Sequence, residues 1–261
     1  MKLLISVRNL REARLAVTCH VDVVDLKEPD NGSLGAVSGS VANEVATQLA
    51  HRCPLSLALG EIVDVADTPD DSWHLSGFTY AKIGLAGCAP ISNWQETWQG
   101  WCESIRTTAG PVAVAYADFR DCAAPHPQEV VSLALSSGAA AFLMDTYHKG
   151  SGNLLDFWNP EELQKLVAPL KDSGVPVALA GSLDLDAIRR LYTVAPDIVA
   201  VRGAACAGGN RVSRLSPRRI HQLQRVVQGT PQLRTSTNRW QAPRTEPGQV
   251  ADKLAKNISE N

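Results

Sequence analysis

Eight short apolar segments alternate with segments of helical spacing along most of this chain. The apolar segments occupy residues 3–7, 21–26, 55–59, 80–85, 112–117, 140–144, 175–180 and 198–201. Between them, apolar residues recur at helical spacing, as at Val41, Val45 and Leu49. Apolar strands joined by helices are typical of a parallel sheet that is covered on both faces. Eight such units predict a closed (β/α)8 TIM barrel. The alternative is an open doubly wound sheet, but no Gly-x-Gly-x-x-Gly motif follows the first strand to favour it.

The composition changes at about residue 229. From there to residue 261 the chain is rich in Thr, Pro, Gln, Arg, Ser and Asn and shows little apolar periodicity. We therefore predict a catalytic barrel domain over residues 1–228 and a flexible tail over residues 229–261. Residues 250–256 could form one weak helix, and a tail segment that docks on a partner is the alternative to plain disorder.

Charge and cysteine spacing exclude several classes of protein. A net charge of −2 provides no field that would gather nucleic acid. The apolar stretches are too short to cross a membrane, and the first residues lack the pattern of a signal peptide. The six cysteines are widely scattered without metal or redox spacing, so we expect reduced thiols in a cytoplasmic protein. These features leave open whether the chain forms a homo-oligomer.

Lys27 and Asp25 stand at the end of the second apolar segment, just before Pro29. Residues two apart on a strand point to the same side, so the two charges would face the core together. A buried lysine has a lowered pKa and can act as a neutral amine that attacks a carbonyl group to form a Schiff base. A structural ion pair at a strand end is the alternative interpretation.

Lys82 lies inside the fourth predicted strand, with apolar neighbours on both sides. Its ammonium group must either point into the barrel mouth or extend between strand and helix towards solvent. The inward orientation would place it near Lys27. Two close cations lower each other's pKa, which would help one of them to react as a neutral amine.

Charged residues also stand at the ends of other predicted strands. The full set is Asp25, Lys27, Glu61, Lys82, Asp118, Asp145 with His148 and Lys149, and Arg202. Since the active site of such a barrel lies at the C-terminal ends of its strands, we expect these groups to converge on one mouth. Any one of them alone would be read as a surface ion pair, but their common phase favours a site.

Glycine-rich turns after the last two strands predict a phosphate site. Gly181 and Ser182 follow strand seven, and Arg202 and Gly203 follow strand eight. Such turns let backbone N–H groups approach an anion, in the usual phosphate position of these barrels. They also serve as tight connections without any ligand. The loop at residues 31–36 could wrap the substrate or be a simple exposed loop.

Two further sets of residues have structural interpretations. The arginines around the last predicted helix are expected to form a solvated face: Arg211, Arg214, Arg218, Arg219 and Arg225. Trp94, Trp98 and Trp101 fall at helical spacing and are expected to pack a helix on the barrel wall.

No pair of histidines has metal-ligand spacing, and His148 is the one that lies at a predicted strand end.

Seven motifs together resemble the (5-formylfuran-3-yl)methyl phosphate synthases of methanofuran biosynthesis. They are residues 25–29 (DLKEP), 32–36 (GSLGA), 81–85 (AKIGL), 116–118 (YAD), 144–146 (MDT) with Lys149, 178–182 (ALAGS), and 201–206 (VRGAAC) with Gly208 and Gly209. The motifs occur in order over about residues 1–226. The resemblance implies a barrel enzyme that joins two glyceraldehyde 3-phosphate molecules, with loss of one phosphate and two waters, and without a metal or organic cofactor.

The resemblance also implies roles for individual residues. Lys27 would form the Schiff base, and acid–base work would fall to Asp25, Lys82, Asp145 and Lys149. The partner would be a small phosphorylated substrate. Two alternatives remain at this point. One is a class I aldolase or an isomerase of the same fold, which would release a linear sugar phosphate. The other is a non-catalytic barrel that binds a phosphorylated metabolite.

Overall fold

The eight predicted strands form a closed barrel of parallel strands in chain order, in which β1 pairs with β8. The computed structural model describes residues 1–65 and 74–229. The strands are β1 (Lys2–Val7), β2 (Val23–Leu26), β3 (Leu55–Glu61), β4 (Tyr80–Gly84), β5 (Gly110–Tyr116), β6 (Ala141–Asp145), β7 (Val177–Leu179) and β8 (Ile198–Val201). The predicted (β/α)8 fold is therefore confirmed, and the open sheet is excluded.

Helices follow the strands and cover the outside of the barrel. They are α1 (Leu10–Thr18), α2 (Gly39–Leu49), α3 (Ile62–Val65), α4 (Trp94–Ile105), α5 (Pro127–Ser137), α6 (Leu154–Phe157), α7 (Pro160–Asp172), α8 (Leu185–Arg190) and α9 (Pro217–Gln228). Helix α7 shows how the sequence starts such an element. Asn159 and Glu162 form a capping box, and Pro160 takes the first helical position, where no N–H is needed.

The helices bury the apolar stripes that the spacing predicted. In α9, Ile220, Leu223 and Val227 are buried against the barrel. In α4, Trp94 and Trp98 are buried and Trp101 is partly buried, which confirms the expected packing of this helix on the barrel wall. Because each strand is apolar on its outer side, strand and helix together form one continuous core.

The strand register decides which residues share the barrel interior. Ser6 on β1 is paired with Asp25 on β2, and Asp25 is paired with Ser56 on β3. Lys82 on β4 is paired with Ala58, which lies two residues after Ser56 and therefore has the same orientation. Residues paired in this way point to the same face, so Ser6, Asp25 and Lys82 all face inward. The same reasoning places Tyr116 and Asp145, which are paired between β5 and β6, on the inner face.

The predicted tail lies outside the described residues except for Gly229, and so does the predicted weak helix at residues 250–256. The barrel elements end with α9 at Gln228. Within residues 1–65 and 74–229, no helix is both long and apolar enough to span a bilayer.

Candidate active site

One cavity of about 620 Å³ opens at the C-terminal ends of the strands. All nine residues that the sequence suggested for catalysis and phosphate binding line it: Asp25, Lys27, Lys82, Asp145, Lys149, Gly181, Ser182, Arg202 and Gly203. They come from five strand ends that are far apart in sequence. Closure of the barrel brings them together, because all parallel strands end at the same rim.

The floor of the cavity is a buried chain of polar contacts. Lys82 Nζ donates to Asp25 Oδ1 at 2.5 Å, and Ser6 Oγ donates to Asp25 Oδ2 at 3.0 Å. All three side chains are buried. Of the two orientations considered for Lys82, the structure therefore shows the inward one. The contact with Asp25 supplies the opposite charge that a buried ammonium group needs.

Lys27 lies above this floor beside a second carboxylate. Its Nζ is 3.7 Å from Asp145 Oδ2, and Lys149 Nζ donates to the other oxygen, Asp145 Oδ1, at 2.6 Å. The N–H of Thr146 donates to the same Oδ1 at 2.8 Å. Asp145 thus holds Lys149 closely and leaves the Lys27 amine with only a long ionic contact.

The pKa values of Lys27 and Asp145 are both lowered, but for different reasons. Burial lowers the pKa of Lys27; Asp145 opposes this, while the positive charges of Lys149 and Lys82 add to it, and the result is about 8. Burial alone would raise the pKa of Asp145, but Lys149 and Lys27 more than offset burial and hold it well below its usual range. Near neutral pH, Asp145 is ionised while a usable fraction of Lys27 is neutral.

The loop after Lys27 is tightly folded and docks on the site. Its ends are joined by a hydrogen bond from Glu28 N to the Gly35 carbonyl at 2.8 Å. A side chain at Gly35 would collide with the Glu28 carbonyl and with Asn31, so only glycine fits. Ser33 is buried and donates to Asp145 Oδ2 at 3.3 Å and to the Thr146 carbonyl at 2.9 Å. The loop therefore packs against Asp145 of the site, which corrects the simple exposed-loop alternative.

Asp118 holds the next loop in place. Its two carboxylate oxygens accept the N–H groups of Tyr147 at 2.7 Å and His148 at 2.8 Å. These residues immediately precede Lys149, so Asp118 fixes the backbone that carries Lys149 towards Asp145. The His148 side chain is exposed, and its ring Nε2 lies 3.4 Å from the Asp121 carbonyl oxygen, outside the cavity lining.

The far end of the cavity lies at the turns after β7 and β8. Gly181 has a φ of 99° and Ser182 a φ of 50°, both in the left-handed region. A Cβ at Gly181 would lie 2.9 Å from Thr146 Cγ2 and 3.1 Å from Thr146 N, so the turn needs glycine for space as well as for conformation. This strained turn brings its backbone close to the cavity.

Arg202 takes a role that the sequence did not predict. Its Nη1 donates to the Ser6 carbonyl at 2.8 Å and to Glu12 Oε2 at 2.9 Å, and its Nε donates to the Arg211 carbonyl at 2.6 Å. A further bond runs from Nη2 to Glu12 Oε1 at 3.4 Å. The guanidinium is buried and occupied by protein acceptors. Arg202 thus ties β8 to β1 and α1 while it also lines the cavity, and its contact with phosphate stays a prediction.

Arg211 and Arg219 provide further cations at this end. Both are partly buried and line the cavity, which contradicts the prediction of a solvated face for them. Arg211 Nη2 donates to the Gly32 carbonyl at 3.0 Å, and burial lowers its pKa from the ordinary arginine value. The solvated-face prediction is confirmed for Arg214, Arg218 and Arg225, which are exposed. The only sequence signal for Arg211 was its position just after Gly208 and Gly209.

No group of three or more His, Cys, Asp or Glu side chains within residues 1–65 and 74–229 is arranged to hold a metal ion. The polar groups that line the cavity are lysines, carboxylates, arginines and glycine turns. This set is suited to proton transfer, amine chemistry and anion binding.

Several solved structures share this backbone at low sequence identity. The crystal structure of KGPDC from Streptococcus mutans has a TM-score of 0.56 and 14% identity, and the match covers 87% of this chain and 97% of that one. Phosphoribosyl anthranilate isomerase from Thermus thermophilus has a TM-score of 0.54 and 14% identity, with coverage of 85% and 96%. At this identity the likeness establishes the fold alone.

Sequence relatives are closer. The (5-formylfuran-3-yl)methyl phosphate synthase of Methanothermobacter thermautotrophicus is 33% identical over 216 residues, which cover 81% of this chain and 92% of the relative. The synthase of the same name from Methanobrevibacter smithii is 32% identical over 217 residues, with coverage of 81% and 92%. The family model for 4-HFC-P synthase matches residues 3–224. This match covers nearly the whole barrel and every residue that lines the cavity, so the chain belongs to the 4-HFC-P synthase family.

Proposed function

We propose that this protein condenses two molecules of glyceraldehyde 3-phosphate into (5-formylfuran-3-yl)methyl phosphate through a Schiff base on Lys27. The observation that carries the proposal is the Lys27 amine. It is buried at the mouth of the barrel, has a pKa of about 8, and is only loosely paired with Asp145. An amine of this kind is neutral often enough near pH 7 to attack an aldehyde. The relatives are named for the furan product, which supports the choice of substrate class.

The proposed sequence begins with attack of Lys27 Nζ on the substrate carbonyl carbon and loss of water to give an imine. The imine withdraws electrons, so a proton can leave the neighbouring carbon and an enamine forms. The enamine carbon then attacks the aldehyde of the second molecule and makes the carbon–carbon bond. Ring closure, with loss of one phosphate and two waters in total, gives the furan, and hydrolysis frees Lys27.

The neighbours of Lys27 divide the acid–base work in this proposal. Asp145, kept ionised by Lys149, stabilises the positive imine nitrogen. Lys82 and Asp25 lie beneath it in direct contact and form a pair that can pass a proton to and from the substrate carbon. Gly181, Ser182 and Gly203, with Arg211 and Arg219, would hold a phosphate group at the far end of the cavity.

The direct test is incubation of the protein with glyceraldehyde 3-phosphate and mass analysis of the product. We expect a furan aldehyde phosphate, with one inorganic phosphate released for each pair of substrate molecules. A linear six-carbon sugar phosphate would instead identify an aldolase. Dihydroxyacetone phosphate as the sole product would identify an isomerase. Either result would contradict the proposal.

The rate of imine formation should depend on pH through Lys27. Only the neutral amine attacks, and the pKa of Lys27 is lowered to about 8. The neutral fraction therefore falls as pH falls, and we expect the rate to drop about tenfold for each pH unit well below 8. Stopped-flow measurement of imine formation between pH 6 and 9 checks this. A rate that stays level down to pH 6 would contradict a Lys27 pKa near 8.

Replacing Arg211 with alanine should weaken substrate binding. Loss of a charge-assisted contact to phosphate corresponds to on the order of a 10- to 100-fold increase in KM. Arg211→Lys should recover part of this, because lysine keeps the charge but not the paired geometry. Steady-state kinetics provide the measurement. The matched control is Arg214→Ala, since Arg214 is exposed and does not line the cavity. An unchanged KM in Arg211→Ala would remove Arg211 from the phosphate site.

A further inference from the structure

A second buried acid pair lies at the barrel mouth, between β3 and β5. The Tyr116 hydroxyl donates to Glu61 Oε1 at 2.5 Å, and the backbone N–H of Ala86 donates to Glu61 Oε2 at 2.9 Å. Tyr116 is fully buried, and Glu61 retains a small exposed fraction of 8%. The Lys27 chemistry described above does not use either group.

The backbone leaves space for this pair. Gly84 is the register partner of Glu61 on β4. A Cβ at Gly84 would collide with the Glu61 carboxyl group and with the Tyr116 hydroxyl. Gly84 is not in the left-handed region, so its backbone conformation does not require glycine. The absent side chain therefore makes room for the contact between the carboxyl group and the phenol.

The pair adjoins the Lys27 cluster. Tyr116 is the register partner of Asp145, and both side chains face the barrel interior. Glu61 and Tyr116 lie on β3 and β5, the strands on either side of β4, and β4 lies opposite β8 in the barrel. The pair thus lies on the side of the barrel mouth away from the glycine turns, beside Asp145 and next to the residues that line the cavity but not among them. A substrate held at its phosphate by those turns would extend its reacting carbons past Lys27 towards this side.

The pKa values of two carboxyl groups, Glu61 and Asp145, are shifted in opposite directions. Burial raises the pKa of Glu61, although the Tyr116 and Ala86 hydrogen bonds oppose this, and the negative charge of Asp145 adds to the increase. The lysines hold the pKa of Asp145 well below its usual range. Groups whose environments separate their pKa values in this way are suited to acting as acid and base in one reaction. Because its pKa is lowered, Asp145 stays ionised and is a poor proton donor.

We propose that Glu61 and Tyr116 form a second acid–base pair of this site, which protonates a substrate hydroxyl group as it leaves as water. This inference rests on the proposed function, because that reaction must lose two waters. In the step, the carbon–oxygen bond to the hydroxyl group and the neighbouring carbon–hydrogen bond break, and a carbon–carbon double bond forms. A base in the cavity takes the carbon's proton. Glu61 in its protonated form gives its proton to the leaving oxygen, Tyr116 then donates a hydrogen bond to the carboxylate that remains, and Glu61 regains a proton when the base gives up the one it took from carbon.

The test uses Glu61→Gln and Tyr116→Phe in the full chain, with glyceraldehyde 3-phosphate as substrate. Both variants should form the borohydride-trapped adduct on Lys27 to the same extent as the parent. Turnover to the furan should fall on the order of 10²-fold or more, as for loss of a general acid. Intact-mass analysis should show trapped adducts that are heavier by one water molecule, because the variants do not eliminate it. A merely structural role would not accumulate such hydrated adducts.

Tyr147→Phe is the matched control. The Tyr147 ring packs edge-on against Tyr116 at 5.3 Å between centroids, and no hydrogen bond joins it to Glu61. We expect turnover like that of the parent. If Glu61→Gln unfolds, Tyr116→Phe decides the result, because it keeps the ring and removes only the hydroxyl group.

Two outcomes count against the inference in distinguishable ways. Furan formation at the parental rate in folded Glu61→Gln and Tyr116→Phe would overturn it and leave the proposed function intact. A parent protein that forms neither the Lys27 adduct nor the furan would overturn the proposed function, and this inference with it.

Discussion

Replacing Lys27 with alanine is expected to remove both the borohydride-trapped adduct and the furan product. Turnover should fall on the order of 10³-fold or more, because the covalent intermediate can no longer form. Borohydride reduces an imine to a stable secondary amine, so peptide mapping after reduction with glyceraldehyde 3-phosphate identifies the lysine directly. The thermal midpoint should change little, since Asp145 keeps its closer partner, Lys149, at 2.6 Å.

Two further variants make this experiment specific. Lys27→Arg should also lose the adduct and the product, because a guanidinium stays charged and does not form the imine. Lys165→Ala changes an exposed lysine of α7 and should behave like the parent. An adduct mapped to Lys82 would transfer the nucleophile role to that residue. No adduct in the parent protein would exclude the Schiff-base mechanism.

Replacing Arg202 with alanine is expected to destabilise the barrel more than it impairs binding. Burial raises the pKa of the Glu12 carboxyl group, but hydrogen bonds from Arg202 and Arg8 more than offset burial and keep Glu12 ionised. Removing Arg202 leaves a buried carboxylate with Arg8 as its remaining ion-pair partner among the described residues. Loss of one partner of a buried pair costs about 3 kcal/mol of unfolding free energy. Thermal or denaturant unfolding measures this.

The double variant Arg202→Ala with Glu12→Gln separates charge from packing. If the cost comes from the unpaired carboxylate, the uncharged glutamine should restore part of the stability. Arg218→Ala, which removes an exposed arginine of α9, is the control and should leave the midpoint unchanged. Parental stability in Arg202→Ala together with a raised KM would contradict this expectation and support the predicted contact of Arg202 with phosphate.

The fold was predictable because it depends on local patterns. Each strand segment is mainly apolar, and each long helix repeats apolar residues at helical spacing, so the type of each element could be predicted from its own residues. Lys82 inside β4 could also be singled out, since an ammonium group among apolar strand residues must reach either solvent or an opposite charge. The strand boundaries moved by only a few residues, as at β7, where residues 175–180 became Val177–Leu179.

The candidate site was predictable only as a set of residues at strand ends. The rule that parallel strands end at one rim placed Asp25, Lys27, Asp145 and Lys149 together. It does not predict which carboxylate pairs with which lysine. The structure pairs Asp25 with Lys82 and Asp145 with Lys149, and leaves Lys27 at 3.7 Å from its nearest carboxylate. In the proposed function, this difference distinguishes Lys27 as the nucleophile from the two lysines that are held in close ion pairs.

What the sequence by itself determined is the strand count, the strand order and the phase that turns lysines and carboxylates inward, because these follow from periodicity and from the geometry of parallel strands. Only the tertiary structure decided that Arg202 is bound to Glu12 and that Arg211 lines the cavity. It alone also placed Tyr116 in contact with Glu61 across the space left by Gly84. The Tyr116–Glu61 and Arg202–Glu12 contacts join residues 55 and 190 positions apart. Barrel closure and loop packing set the distances between them, and no local pattern encodes either.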